Sequence, residues 1–157
     1  MGALDQGEII RQARELGERS GGLVVFDTVT RSGWPHPSVV NAGVVDHPVS
    51  GEPVVALVAV GGSAKIRNLE RDPRATVTFR DGGRWLTVRG EAALIGPDHP
   101  AAGFAPDGVP ELLRSIYRAA GGGEHPDWAE YDRVMAAERR TAVLVAVAGA
   151  YGVYWPV

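Results

Sequence analysis

Residues 61–74 contain the side chains best suited to bind an anion. Two glycines follow an apolar run and precede a short segment with helical spacing. The first N–H groups of a helix have no partner inside the helix and can donate to a phosphate. Ser63 adds a hydroxyl, Lys65 an ammonium group and Arg67 a planar cation suited to two-point contact with phosphate oxygens. The pattern indicates a phosphate cradle, although a capped helix with solvated charges fits it equally well.

Several other kinds of chemistry are disfavoured by the sequence. Lys65 is the only lysine among 16 basic residues, and Ile66 follows it, so the nucleotide-binding order G-x-x-x-x-G-K-[ST] is absent. The chain has no cysteine, and no two histidines have H-x-x-x-H spacing, so we expect no metal site. The sequence also lacks the Gly-x-Ser-x-Gly motif that carries the nucleophile of an α/β-hydrolase, so a hydrolase of that kind is disfavoured. Each histidine directly precedes a proline: His36, His47, His99 and His125.

The overall composition is that of one globular domain. The chain has 157 residues, of which 45% are hydrophobic and 22% charged, with a formal net charge of -3. We therefore expect a single domain over residues 1–157. The slight negative charge argues against a general nucleic-acid partner. The lack of a long apolar run or signal-like start argues against a membrane partner and favours a cytoplasmic location.

Hydrophobic spacing predicts a mainly β chain with helical additions. A helix is expected over residues 5–19, within an N-terminal segment of residues 1–20, and a short helix is expected to begin at Ser63, whose hydroxyl caps it, and to end before Pro73. A helical insert spans residues 98–140, with helices near 111–119 and 127–140. The predicted strands cover residues 23–30, 34–45, 54–60, 75–79, 85–95, 141–147 and 151–155.

Two segments together resemble a known superfamily, and the likeness extends from about residue 20 to the C-terminus. The first is Gly62-Ser63-Ala64-Lys65-Ile66-Arg67-Asn68-Leu69-Glu70-Arg71-Asp72-Pro73-Arg74, and the second is Trp85-Leu86-Thr87-Val88-Arg89-Gly90-Glu91-Ala92. They are similar to the flavin and deazaflavin oxidoreductases of the pyridoxamine 5′-phosphate oxidase-like split β-barrel superfamily. Within it, the chain resembles the actinobacterial branch that uses coenzyme F420.

The resemblance implies a six-stranded split β-barrel of the FMN-binding type, with flanking helices and the helical insert. It also implies a homodimer with two cofactor sites at the interface. Carried over by position, Ser63, Lys65 and Arg67 hold the cofactor phosphate, and Asn68 steadies that loop. The ring system is lined by Pro37, Ser38, Val39 and Asn41, and its walls are Trp85 and the Tyr154-Trp155 pair.

Each of these assignments has a structural alternative. Trp85 and Trp155 can be packing residues of the core or the interface. The amide of Asn41 can satisfy a neighbouring backbone group instead of a ligand. Pro37 within a strand requires an edge or an interrupted ladder. We expect three further arginines to be ion-pair partners: Arg71, Arg74 and Arg89.

The function that the resemblance implies is hydride transfer between reduced coenzyme F420 and a small conjugated organic acceptor. FMN is the alternative cofactor, because the same cradle suits either phosphate. A protein that binds the cofactor without turnover, or a dimeric module with no ligand, also remains open. No residue is assigned as the proton donor, and the catalytic residues are left unknown. The tyrosines, the histidines and water are all candidates.

Overall fold

Six antiparallel strands close into a barrel in the computed structural model, which describes residues 4–153. A seventh strand extends one of its sheets. The strands are β1 (Leu23–Val29), β2 (Pro35–Asp46), β3 (Pro53–Ala59), β4 (Arg74–Asp81), β5 (Arg84–Ile95), β6 (Thr141–Val145) and β7 (Gly149–Val153). The helices are α1 (Gln6–Arg19), α2 (Ala64–Arg71), α3 (Val109–Tyr117) and α4 (Trp128–Ala137). The predicted mainly β barrel is confirmed.

The barrel is split because two long strands change partners halfway. Residues 35–41 of β2 pair with β1, whereas residues 42–46 pair with β3. In the same way, residues 84–91 of β5 pair with β4, and residues 92–95 pair with β6. Strand β7 pairs with residues 85–89 of β5, which β6 does not reach. No described strand pairs with the second edge of residues 35–41, so the barrel opens there.

Two helices close the barrel interior. Helix α1 begins where the Asp5 carboxylate accepts the Glu8 N–H at 2.9 Å, as an N-cap does. Its apolar side, which includes Ala13 and Leu16, is buried against the strands. Helix α2 contributes Ile66 and Leu69 to the same core. The apolar positions that predict these helices are thus the positions that the helices bury in the core.

The helical insert packs on the outside of the second sheet, which consists of residues 42–46 of β2, β3, β6 and residues 92–95 of β5. Leu112, Leu113 and Ile116 of α3 and Tyr131 of α4 form a second core cluster with the outward side chains of β3 and β6. A π-helical turn over Arg118–Gly122 follows α3. Helix α4 ends at Ala137, three residues earlier than expected. Within residues 4–153, no helix has both the length and the apolar character needed to cross a membrane.

The first sheet consists of β1, residues 35–41 of β2, β4, residues 84–91 of β5, and β7. Its outer face leaves apolar side chains exposed. Leu23 and Val25 of β1, Val39 of β2, and Tyr151 and Val153 of β7 are between 38% and 70% exposed. The register places Val39, Val25 and Tyr151 on one face, in a row that crosses β4 and β5. A sheet face of this kind is typical of an interaction surface.

Candidate functional site

The two glycines after β3 are required by a close approach and by the backbone conformation. The N–H of Gly61 donates to the carbonyl oxygen of Glu138 at 3.1 Å. A Cβ on Gly61 would lie 2.5 Å from the carbonyl oxygen of Arg139. Gly62 has φ +69°, in the left-handed region that favours glycine, and it faces open space. The loop is therefore held against the end of α4 and leaves room for a ligand.

Ser63 occupies the N-cap position of α2, but its hydroxyl does not cap the helix. Its backbone is extended and its carbonyl accepts the N–H of Arg67 at 3.0 Å, as in an N-cap. The predicted capping hydrogen bond is wrong, because Oγ is buried and has no partner among residues 4–153. A buried hydroxyl without a partner is unfavourable unless a ligand or ion completes its hydrogen bonding. The hydroxyl and the first N–H groups of α2 together fit an anion.

Lys65 and Arg67 differ in what already holds them. Lys65 is half-buried and forms no hydrogen bond or ion pair with residues 4–153. Arg67 is exposed, and its Nη1 donates to the carbonyl oxygen of Gly62 at 2.5 Å. Lys65 therefore offers a free positive charge at the start of α2, while Arg67 braces the loop beside it. Whether either side chain binds phosphate stays a prediction.

Asn68 attaches α2 to the barrel instead of contacting the glycine loop. It is 8% exposed, and its Nδ2 donates to Thr28 Oγ1 at 3.0 Å. Its Oδ1 accepts from Arg71 Nη2 at 3.1 Å, and Arg71 also donates to the carbonyl oxygen of Val29. Thr28, a partner that the sequence did not single out, lies on β1. Asn68 thus steadies the helix that presents Lys65.

The predicted ring-lining residues on β2 point to two different sides of the strand. Pro37 and Val39 are exposed on its outer side, whereas Ser38 and His36 point inward. This alternation follows from strand geometry. Ser38 Oγ and His36 Nδ1 are buried and have no hydrogen-bond partner among residues 4–153. The half of β2 that borders the opening therefore carries unsatisfied polar atoms, as α2 does.

The Asn41 amide donates to backbone carbonyl oxygens, which is the alternative that the sequence offers to ligand contact. Its Nδ2 donates to the carbonyl oxygens of Gly21 at 3.2 Å and Ala120 at 3.4 Å. Asn41 also borders a cavity of about 490 Å³ between β2, β3 and the helical insert. Six of the other lining residues are Val40, Val58, Tyr117, His125, Tyr131 and Met135. The insert therefore forms one wall of a pocket beside the split.

Trp85 lies on the exposed face of the first sheet. Its ring makes an edge-to-face contact with Tyr151, with the centroids 5.8 Å apart. The strand order places it three strands from Asn41 by either route around the six-stranded barrel. One chain therefore does not place Trp85 against the first half of β2. Tyr154 and Trp155 lie outside the described residues.

The three arginines expected to form ion pairs have different environments. Arg74 pairs with Asp72 at 2.7 Å, and its guanidinium lowers the pKa of that carboxyl group to about 2. Arg71 forms no ion pair with residues 4–153 and bonds instead to Asn68 and to the backbone of β1, so its expected role as an ion-pair partner is wrong. Arg89 forms no ion pair with residues 4–153, so its expected role is wrong. It borders a groove of about 810 Å³ along β1, β4 and β5.

Solved structures with the same fold come from several bacteria. The Rv2991 protein of Mycobacterium tuberculosis superposes with a TM-score of 0.65 at 16% identity, covering 98% of this chain and 92% of that one. The protein Atu2129 of Agrobacterium tumefaciens, of unknown function, gives 0.63 at 22%, covering 98% of this chain. This chain spans only 59% of that longer protein. An F420 reductase gives 0.59 at 16%, covering 88% and 94%.

A family model supplies the assignment that these distant structures cannot. The model described as pyridoxamine 5′-phosphate oxidase matches residues 11–108, which is more than half of the chain. The match includes the first five strands, the glycine loop and α2. This chain belongs to the pyridoxamine 5′-phosphate oxidase family.

Proposed function

We propose that this protein is an oxidoreductase that uses reduced coenzyme F420 to reduce a small conjugated organic acceptor. The family and its split-barrel fold support oxidoreductase chemistry with a flavin-type cofactor. The observation that carries the proposal is that the buried Ser63 hydroxyl and the Lys65 side chain, both at the start of α2, have no partner among residues 4–153. The choice of a deazaflavin rests on the motif resemblance and on the likeness to an F420 reductase.

The protein's own groups bind and orient both reactants. Lys65, the Ser63 hydroxyl and the first N–H groups of α2 hold the cofactor phosphate, and Gly62 leaves space for it. Residues 35–41 of β2 offer unpaired backbone groups to the polar edge of a ring. When bound, the reduced deazaflavin supplies a hydride, and the acceptor gains that hydride and a proton. Catalysis then depends mainly on holding the two reactants together.

A homodimer belongs to this proposal. The exposed apolar row on the first sheet, with Val25, Val39 and Tyr151, is the surface that pairs with a second copy. In such a dimer, Trp85 of one protomer reaches the site of the other, because it lies on the same face as this row. This arrangement explains how Trp85 can contribute a wall that a single chain does not provide.

The test measures cofactor affinity in the variant Lys65→Gln. A hydrogen bond to a charged group contributes roughly 1.5–3 kcal/mol, so F420 affinity is expected to fall about 10- to 150-fold. Arg14→Gln is the matched control, since Arg14 is an exposed cation on α1. Isothermal titration calorimetry with F420 and FMN measures both ligands.

Three results would contradict the proposal in different ways. An unchanged affinity in Lys65→Gln would show that the cofactor phosphate lies elsewhere. Tight FMN binding without F420 binding would favour a flavin oxidoreductase. Binding of reduced F420 without its oxidation by any of a broad set of quinones and enones would favour a non-catalytic cofactor-binding protein.

A further inference from the structure

The cavity between β2 and the insert contains an aromatic cluster. The ring centroid of His125 lies 5.5 Å from that of Tyr117, 5.4 Å from that of Tyr131 and 5.7 Å from that of Trp128. His125, Tyr117 and Tyr131 all line the cavity, together with Asn41 on β2. Flat aromatic walls of this kind favour a planar, conjugated ligand.

The charged groups that line this cavity are already paired. Glu130 accepts from Arg133 at 2.5 Å, and Arg140 pairs with Glu138 at 2.6 Å. The lining residues therefore present no unpaired charge within residues 4–153. A charged ligand would compete with these ion pairs, whereas an uncharged ligand would not. The cavity thus favours a neutral molecule.

The backbone sets the hydrogen-bonding direction of His125. The N–H of Asp127 donates to His125 Nδ1 at 3.0 Å, so this nitrogen carries a lone pair. In the neutral ring the proton is then on Nε2. No group in residues 4–153 bonds to Nε2. His125 therefore offers a single N–H donor with a direction that the Asp127 bond holds.

The other polar groups in the cluster are less suited to donate a hydrogen bond to a ligand in a fixed direction. The Tyr131 hydroxyl donates to the carbonyl oxygen of Leu113 at 3.1 Å. The Tyr117 hydroxyl has no partner within residues 4–153, but it can rotate about its C–O bond. Two histidines elsewhere are engaged differently, since His99 bonds to Glu70 and His47 accepts from the backbone of its own loop.

We infer that this cavity binds the acceptor as a neutral conjugated carbonyl compound, with the carbonyl oxygen accepting a hydrogen bond from His125 Nε2. The inference rests on the proposed function for the class of ligand. A neutral imidazole in this position orients and polarises the carbonyl group. It does not supply the proton, because protonation of Nδ1 would break the bond to Asp127.

The test measures acceptor binding to the cofactor-free protein. Isothermal titration calorimetry compares 2-methyl-1,4-naphthoquinone with 2-methylnaphthalene, which has the same rings and no carbonyl group. His125→Phe keeps an aromatic ring and removes the donor. We expect it to weaken quinone binding about three- to tenfold, as the loss of one neutral hydrogen bond does. Binding of the hydrocarbon should not change.

Two further variants separate a hydrogen bond from packing. His125→Gln places an amide N–H near the position of Nε2 and should restore most of the quinone affinity. His47→Phe is the matched control, since His47 also precedes proline and accepts a backbone N–H two residues later. It should bind the quinone as the unaltered chain does. Imidazole ¹⁵N shifts should show the proton of His125 on Nε2.

Each other result overturns the inference. If His125→Phe weakens the binding of the quinone and of the hydrocarbon equally, His125 contacts the ligand only by packing. An imidazole protonated on Nδ1 would contradict the donor geometry. No quinone binding by the unaltered chain would show that the cavity is not the acceptor site. Because no cofactor is present, these failures are distinct from an unchanged F420 affinity in Lys65→Gln.

Discussion

The hydrogen bond between Asn68 and Thr28 should stabilise the protein and position the helix that carries Lys65. Asn68 is 8% exposed and Thr28 is 1% exposed, and their side chains are joined at 3.0 Å across α2 and β1. Asn68→Ala removes this bond and the one from Arg71. It also leaves the Thr28 hydroxyl buried without its partner, which costs roughly 1–3 kcal/mol.

The expected loss in the free energy of unfolding for Asn68→Ala is about 2 kcal/mol. For a chain of this length, that loss corresponds to a fall in Tm of roughly 4–8 °C. Asn41→Ala is the matched control at the chain's other asparagine. Asn41 is exposed and its bonds are longer, at 3.2 and 3.4 Å, so we expect a loss below about 1 kcal/mol.

A double-mutant cycle isolates the pair itself. Thr28→Val alone leaves the Asn68 amide buried without its partner, so both single variants contain an unsatisfied group. The variant with both changes lacks this conflict and should be more stable than the sum of the two losses predicts, by roughly 1 kcal/mol. Urea unfolding of the four proteins measures the difference. Additive losses, to within about 0.3 kcal/mol, would refute the coupling.

Two further expectations concern the insert and the exposed sheet face. Arg114 and Asp132 form a hydrogen-bonded ion pair that joins α3 to α4, and this pair lowers the pKa of Asp132. The stabilisation that the pair provides is therefore present above the unfolded pKa of Asp132, and it is lost as the pH falls through the lower folded pKa. Asp132→Asn should therefore destabilise by roughly 1 kcal/mol at pH 7 and by progressively less as the pH falls below the unfolded pKa, measured by thermal unfolding; a constant difference would contradict this. The proposed homodimer predicts that Val39→Asp gives the mass of a monomer in light scattering, whereas Val49→Asp, in an exposed loop, keeps the mass of a dimer. An unchanged mass would exclude this face as the interface.

The strands and helices were predictable because their signals are local. Residues 54–60 are apolar at successive positions and predict a strand, and β3 (Pro53–Ala59) forms there with most of its residues buried on both faces. The apolar spacing within residues 5–19 correctly indicated α1. These patterns report which side of an element is buried, and they need no knowledge of its neighbours.

The details of the site depend on contacts between distant residues and were not predictable. The amide of Asn41 bonds to Ala120, 79 positions later, and Asn68 bonds to Thr28, 40 positions earlier. No local pattern encodes such pairs, because they arise only when the barrel closes. The failure of the Ser63 hydroxyl to cap α2 has the same origin. Local spacing places Ser63 correctly at the N-cap but does not give the direction of its side chain.

The bare edge of β2 has a consequence for the behaviour of the chain in solution. An uncovered strand edge is a template on which another chain can extend the sheet and begin aggregation. Pro35 and Pro37 lie in this segment and carry no N–H, which blunts the edge while leaving its carbonyl oxygens available. The two prolines therefore make this edge a poor template for self-association, although no described strand covers it.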